Sequence, residues 1–115
     1  MNLNIKSKPF TIKVVHERED LSDGMMGKTF NGFDGMLFLM PEKGAQSFWM
    51  KNCIIPLDII FIDRDKITDI AHNCPPCNEE DCPTYNGYGG FVLELPGGTC
   101  KELGINVGDH IDYGI

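Results

Sequence analysis

Short apolar runs, separated by glycine, proline and charged turns, divide the chain into segments of strand length. Residues 9–15 alternate in part, and residues 35–40 form a continuous apolar run that stops before Pro41. Residues 47–52 and 57–63 are two further candidates, and the second is apolar on both faces. Alternation with a period of two and short apolar runs bounded by turn residues are typical of β-strands. The pattern therefore predicts a protein built mainly of strands.

The second half of the chain continues this pattern. Residues 67–72 are expected to form a hairpin with the preceding strand, and residues 90–96 and 108–114 are predicted to be the last two strands. Residues 73–90 are rich in proline and glycine, so they are predicted to form one long loop. Loops of this length inside a small domain tend to be functional or tied down.

Two segments differ from the strand pattern and predict short helices. The first begins near Glu17 with an acidic turn, which suits a helix N-terminus. The second covers residues 97–104, with Thr99 as the expected N-cap and Gly104 as the expected stop. The sum is an α+β, mostly β protein: a single compact domain over residues 1–115, with an antiparallel-rich sheet curled towards a small barrel and two short helices.

Composition and charge exclude several classes of function. The 115 residues include 17 Asp and Glu against 10 Lys and Arg, which gives a net charge of −7 without a basic cluster. Neither nucleic acid nor an anionic membrane surface is therefore an expected partner. No apolar run reaches the length of a bilayer span and no export signal is visible, so we expect no membrane insertion and a cytoplasmic location.

Residues 47–63, SFWMKNCIIPLDIIFID, resemble the signature of the DUF192 family, a group of small prokaryotic proteins of uncharacterised function. GMLF at 35–38 and FVLELPGG at 91–98 resemble two further parts of that family's sequence. The resemblance extends from about Val14 to the end of the chain. It implies a mostly β domain, and many relatives appear to be exported. It implies no reaction, so function has to be argued from candidate sites.

The segment HNCPPCNEEDC, residues 72–82, concentrates three of the five cysteines. Cys77 and Cys82 are close enough in sequence for a proline-rich turn to bridge them, which would clamp the loop in an oxidising compartment. His72 and Cys74 together with that pair make a set of three cysteines and one histidine, which can coordinate structural zinc. A metal site is therefore the alternative interpretation. A redox pair of Cys74 and Cys77 is disfavoured by the acidic residues that follow. The preferred interpretation is a structural clamp without metal or other cofactor.

A second candidate site surrounds the family signature. Side chains alternate along a strand, so Trp49 and Lys51 share one face. Glu94 is out of phase with the apolar residues of its strand, and Asp58 opens a strand that is otherwise apolar. With Asn52, which follows Lys51, these residues are expected to converge on one site that is partly roofed by the 73–90 loop.

This convergence predicts a binding or accessory module for a small ligand or a partner protein. Trp49 would stack on the ligand and Lys51 would hold an anionic group. An enzyme that uses Lys51, Asp58 and Glu94 in the same cleft is the alternative, as is a metal-binding or thiol module on the cysteine loop. No known catalytic motif is present, which favours a non-enzymatic role. Oligomeric state is not predicted.

The apolar residues of three predicted strands share one alternation phase, so they are expected to form a single central core. They are Phe48, Met50, Leu57, Ile59, Phe61, Phe91, Leu93 and Leu95.

Overall fold

The structure, a computed structural model, describes residues 1–114 and consists of seven strands and two short helices. In chain order the strands are β1 (Asn2–Ile5), β2 (Lys8–Val15), β3 (Gly35–Trp49), β4 (Leu57–Asp63), β5 (Lys66–Cys74), β6 (Thr84–Pro96) and β7 (Ile111–Asp112). Helix α1 (Arg18–Asp23) follows β2, and helix α2 (Thr99–Leu103) follows β6. No helix within residues 1–114 has both the length and the apolar character needed to cross a membrane.

The seven strands form one mixed sheet in the order β5-β4-β6-β3-β2-β1-β7. Neighbouring strands are antiparallel except β2 and β3, which run parallel and are joined through α1. The two edges of the sheet approach each other and are joined by backbone hydrogen bonds. The Ile67 amide donates to the Asp109 carbonyl at 2.9 Å, and the Ile111 amide donates to the Asp65 carbonyl at 2.6 Å. The sheet is therefore curled into a half-barrel, and the predicted fold class is confirmed.

The curled sheet buries apolar side chains on both of its faces. The concave cluster takes residues from both edges that meet, such as Ile67 and Ile111, and it includes Leu93 and Leu95 of β6. The second, convex cluster contains residues of the same strands with the opposite phase, among them Phe61 and Val92. Alternation explains the division, since successive side chains of a strand point to opposite faces.

The predicted single core is therefore wrong in one respect, because its residues are divided between the two faces. Leu93 and Leu95 belong to the concave cluster, whereas Phe61, Ile59 and Leu57, which alternate along β4, belong to the convex one. Phe48 and Phe91 are only half-buried and pack against the edges of these clusters. The members of the eight that are buried in the convex cluster are Met50, Leu57, Ile59 and Phe61.

Strand boundaries differ from the predictions at four places. Residues 35–40 and 47–49 belong to one long strand, β3, which continues past Pro41 with a shift of its register with β6 between Leu39 and Gly44; residues 50–52 of the second predicted strand lie beyond its end. β6 begins at Thr84, so the predicted loop is shorter than expected. β1 was not predicted, because its four residues, although they alternate between polar and apolar, form a run at the lower limit of strand length. The last strand is shorter than predicted and covers only Ile111–Asp112.

The helices lie where the sequence predicts them, with one correction at a cap. Gly98, and not Thr99, is the N-cap of α2. The amide of Cys100, in the first turn, donates to Asp58 Oδ2 at 2.8 Å. Gly104 ends the helix with a φ of 70°, the left-handed conformation that glycine adopts without steric cost.

Candidate functional site

A pocket of about 220 Å³ opens on the convex side of the sheet, between α1 with its following turn and the outer part of β3. Its lining is polar and apolar in about equal parts, and its rim carries Asp23, Trp49 and Lys51. Glu94 is the acidic residue of the sheet itself that lines the pocket. The apolar side chains of the walls are Leu21, Met25, Met26, Phe38, Met40, Phe48 and Cys53. We call this cavity the Glu94 pocket.

Glu94 reaches the pocket because of its phase on β6. Its neighbours Leu93 and Leu95 face the concave cluster, so the Glu94 side chain faces the convex side. The residue is only 3% exposed, and its Oε1 atom has no hydrogen-bond partner within the described part of the chain. Burial raises the pKa of Glu94 from 4.5 to about 8, because the charged form loses its water. The carboxyl group is therefore mostly protonated at neutral pH when the pocket holds no ligand.

Trp49 and Lys51 both lie at the rim of the pocket. Trp49 is the last residue of β3 and remains 47% exposed. Lys51 follows two residues later, where its backbone forms a bridge with Cys77. The Lys51 ammonium donates a hydrogen bond to the Glu79 carbonyl. The lysine therefore ties the cysteine loop to the rim of the pocket.

Cys53 is a part of the site that sequence reasoning missed. Its backbone pairs with Met26, which brings the Met25–Met26 turn over the convex face. The pKa of the Cys53 thiol is raised to about 11, chiefly by burial and also by the charge of Glu94, while the charge of Lys28 acts in the opposite direction. The thiol is therefore protonated and a poor nucleophile at neutral pH. The only indication in the sequence was the apolar pair Met25–Met26 between two glycines, outside any strand.

Asp58 does not join this site, which corrects the predicted convergence. It shares its phase on β4 with Ile60 and Ile62 of the concave cluster, so it faces away from Glu94. It is fully buried, and its carboxyl group accepts three backbone hydrogen bonds from Asn73, Gly98 and Cys100, at 2.7, 3.0 and 2.8 Å. Asp58 joins the end of β5 to the start of α2 and has no free oxygen for a ligand.

Two further expectations are not met: Asn52 does not line the Glu94 pocket, and the 73–90 loop does not cover it. The Asn52 side chain is exposed, and its backbone connects two segments: its amide donates to the Cys77 carbonyl at 2.8 Å and its carbonyl accepts from Gly27 at 2.9 Å. Residues 75–83 pack against residues 50–52 and line a separate pocket. The Glu94 pocket is covered instead by α1 and the turn after it, because the bridge between Met26 and Cys53 holds that turn in place.

The cysteine loop contains a disulfide between Cys77 and Cys82. Cys74 is a free thiol buried in the convex cluster, and His72 is exposed. The four residues of the alternative zinc site are therefore not brought together. Across residues 1–114, no group of three or more His, Cys, Asp or Glu side chains is placed to hold a metal ion.

Together, the fold and the pocket define a small β-rich half-barrel domain with a cavity on its convex side that contains a buried carboxyl group. The chain belongs to the DUF192 family, whose model, described as an uncharacterized ACR, matches residues 1–113.

Two solved structures are similar to this chain over nearly all of its length. A protein of unknown function from Novosphingobium aromaticivorans is 32% identical with a TM-score of 0.82, and the match covers 97% of this chain and 84% of that one. A "putative transcription regulator" from Sinorhizobium meliloti is 30% identical with a TM-score of 0.81, and the match covers 96% of this chain and 89% of that one. A comparison with curated proteins gave no match.

Proposed function

We propose that this domain is a non-enzymatic binding module that takes a small organic ligand in the Glu94 pocket. The observation that carries the proposal is the carboxyl group of Glu94, which lines the pocket with one oxygen unpartnered. A buried polar atom without a hydrogen bond costs about 1–3 kcal/mol. A ligand that supplies this bond recovers part of that cost while it buries its own apolar surface.

The rim supplies two further contacts of the kind that small-molecule sites use. The exposed Trp49 ring offers a flat apolar surface on which a ligand can stack. Ser22 and Ser47 line the pocket and offer hydroxyl groups for polar parts of a ligand. An apolar cavity with a few convergent polar groups is the usual form of a small-molecule site.

The candidate catalytic groups support binding over covalent chemistry. The Cys53 thiol is held protonated by burial. The Lys51 ammonium is hydrogen-bonded to the Glu79 carbonyl, and Asp58 is fully engaged by backbone amides on the other face of the sheet. Cys53 shares the pocket with the Glu94 carboxyl, but its thiol stays protonated at neutral pH, and covalent catalysis needs the thiolate.

The Sinorhizobium relative raises the question of nucleic-acid binding. The present chain carries 17 acidic and 10 basic side chains, which disfavours direct contact with a phosphate backbone. We therefore propose that its role is to bind a ligand or a partner protein without contacting nucleic acid itself.

The compartment in which the protein resides determines whether the two cysteines of the loop are oxidised or reduced. The Cys77–Cys82 disulfide would persist in an exported protein and would be reduced in the cytoplasm. Neither cysteine lines the Glu94 pocket, so we propose that the pocket is present in both compartments.

Binding can be tested by screening a fragment library against the ¹⁵N-labelled protein by NMR. We expect binding fragments to shift amide signals of residues 21–26 and 47–53, and to change the fluorescence of the single tryptophan, Trp49. Glu94→Leu should abolish these shifts, whereas the exposed Glu42→Leu should preserve them. A library that produces no shifts in the wild-type pocket, or shifts that survive Glu94→Leu, would contradict the proposal.

A further inference from the structure

We propose that the ligand of the Glu94 pocket is a protonated organic amine, whose ammonium group reaches the Glu94 carboxyl while its hydrocarbon part lies against the apolar walls. This inference rests on the proposed function and specifies its ligand class.

The first reason is that Glu94 has no cationic partner of its own. Among residues 1–114, no Lys, Arg or His side chain lies within ion-pair distance of it. The two nearby lysine ammonium groups are occupied: Lys28 donates to the Gly24 carbonyl at 3.0 Å, and Lys51 donates to the Glu79 carbonyl. A buried carboxylate is strongly stabilised by an opposite charge at close range. An ammonium ligand would provide the charge that the protein leaves out.

The second reason is the aromatic character of the walls. The rings of Phe38 and Phe48 pack edge to face with centroids 5.0 Å apart, and Trp49 stands at the rim. Aromatic faces attract organic cations electrostatically, most strongly where water is excluded. The thioether side chains of Met25 and Met26 adapt to irregular hydrocarbon shapes. These walls therefore suit both the charged and the apolar part of an amine.

The third reason is the long-range field. The net charge of −7 favours the approach of a cation over that of an anion, and Asp23 adds an acidic group at the rim. The pocket volume of about 220 Å³ exceeds that of an engineered protein cavity of about 150 Å³ that binds benzene, a molecule of six carbons. That space accommodates an alkyl chain of about six carbons when its far end projects past Trp49.

Proton exchange gives the inference a specific signature. Amine binding stabilises ionised Glu94, so below pH 8 each binding event should release up to one proton from this group. The affinity should therefore rise by up to about tenfold per pH unit up to about pH 8. The other charged or titratable groups around the pocket are Asp23, Lys28, Lys51 and Cys53, with Asp58 and Cys74 on the neighbouring strands.

The test compares three ligands of equal length: n-hexylamine, n-hexanol and hexanoate, titrated into the full chain at pH 6.5 and 7.5 and followed by amide NMR shifts. We expect n-hexylamine to bind at least tenfold more tightly than the other two and to tighten with pH. Calorimetry in two buffers of different ionisation enthalpy should show proton release.

Glu94→Gln keeps the shape of the side chain and removes its charge. It should weaken the binding of n-hexylamine at least tenfold and abolish the pH dependence of that binding, whereas Glu42→Gln should change neither.

Each other outcome overturns the amine assignment in a distinguishable way. Tighter binding of hexanoate would identify the pocket as an anion site and leave the proposed function standing. Equal binding of n-hexanol would show that charge is not recognised. Failure of all three ligands while other fragments bind would also reject the amine, and failure of every fragment would reject the binding function itself. If Glu94→Gln does not fold, the calorimetry of the wild-type protein still tests the inference. Binding of n-hexylamine without proton release would then overturn it.

Discussion

At the scale of single residues, Asp58 and Glu94 are the buried acidic side chains of the described chain, and they differ in what surrounds them. Asp58 accepts three backbone hydrogen bonds, while Oε1 of Glu94 accepts none. A carboxylate that is fully hydrogen-bonded holds structure together, whereas one left without partners lowers stability when it ionises. We therefore assign Asp58 to the fold and Glu94 to the pocket.

Replacing Asp58 should destabilise the protein at neutral pH. In Asp58→Asn an NH₂ group replaces one of the two carboxyl oxygens. This group cannot accept a hydrogen bond from a backbone amide, so at least one of the three bonds is lost inside the protein. We expect the free energy of unfolding to fall by about 3 kcal/mol in urea melts, in the range for hydrogen bonds to a buried charge. Asp34→Asn is the matched control, because exposed Asp34 accepts one amide bond from Thr11 and should cost less than about 1 kcal/mol. Equal costs for both variants would contradict the assigned role.

Glu94 should make the protein less stable as the pH rises. Its folded-state pKa of about 8 exceeds the ordinary value of 4.5, so between these values the unfolded chain binds fewer protons than the folded one. Stability should therefore fall by up to about 1.4 kcal/mol per pH unit from about pH 4.5 to pH 8, and no further above pH 8. Urea melts at pH 5, 6.5 and 8 should show that Glu94→Gln removes this slope, while Glu42→Gln keeps it. A slope that is unchanged in Glu94→Gln would show that Glu94 is already ionised.

The sequence shows part of this residue-level picture. The position of Glu94 could be predicted, because it is out of phase with apolar neighbours on its own strand. The role of Asp58 could not, because its amide partners lie 15, 40 and 42 residues away and appear only when β5 and α2 are in place.

At the scale of elements, the outer parts of β3 and β6 form a ribbon that folds back over β4. Tyr85 and Phe48 of this ribbon pack on the convex cluster. Gly87 lies so close to Phe61 that a Cβ atom would stand 2.2 Å from the Phe61 Cγ atom. The ribbon therefore depends on a residue without a side chain at this position.

Adding one methyl group at Gly87 should displace this ribbon. Gly87→Ala places its Cβ atom inside the Phe61 ring, and overpacking of this kind costs about 1–3 kcal/mol or more. Gly90→Ala is the control, because its nearest neighbour would be Lys43 Cβ at 3.8 Å, an ordinary contact. Thermal melts should show a clear loss for the first variant and a small change for the second. Comparable melting temperatures would mean that the ribbon does not pack on Phe61 in this way.

The cysteine loop is the second element with a measurable contribution. Closing the short segment between Cys77 and Cys82 should contribute about 2 kcal/mol of stability by restricting the unfolded chain. We expect thiol titration of the oxidised, denatured protein to detect three groups, since Cys53, Cys74 and Cys100 are free, and five after reduction. The native protein should react slowly because those three thiols are buried. Five thiols without reduction would show that the loop is open.

Element boundaries were predicted well where local signals are strong. The end of α2 at Gly104 was predicted because a left-handed glycine stop is a local property. The merging of two predicted strands across Pro41 was missed, because the register shift there depends on pairing with β6. The start of β6 at Thr84 was missed for the same reason, since its glycines look like turn residues until the partner strand is present.

At the scale of the whole molecule, the curl of the sheet decides where a ligand can bind. The concave side carries buried apolar residues from all seven strands. The convex side is covered by α1, the turns after it, the cysteine loop and the outer parts of β3 and β6, and the Glu94 pocket lies between α1 and the outer part of β3. Strand order and closure cannot be inferred from local alternation, so the sequence predicts the curled sheet but not which face holds the site.

The most direct measurement is the pKa of the Glu94 carboxyl, followed through its ¹³C chemical shift with and without n-hexylamine. Without ligand we expect a midpoint near pH 8, because the carboxyl is buried and unpartnered. A saturating amine should lower this midpoint by at least one unit, since an ammonium partner favours the ionised form. A midpoint near the ordinary value of 4.5 in the free protein, or one that the amine leaves unchanged, would contradict the proposed pocket and its ligand.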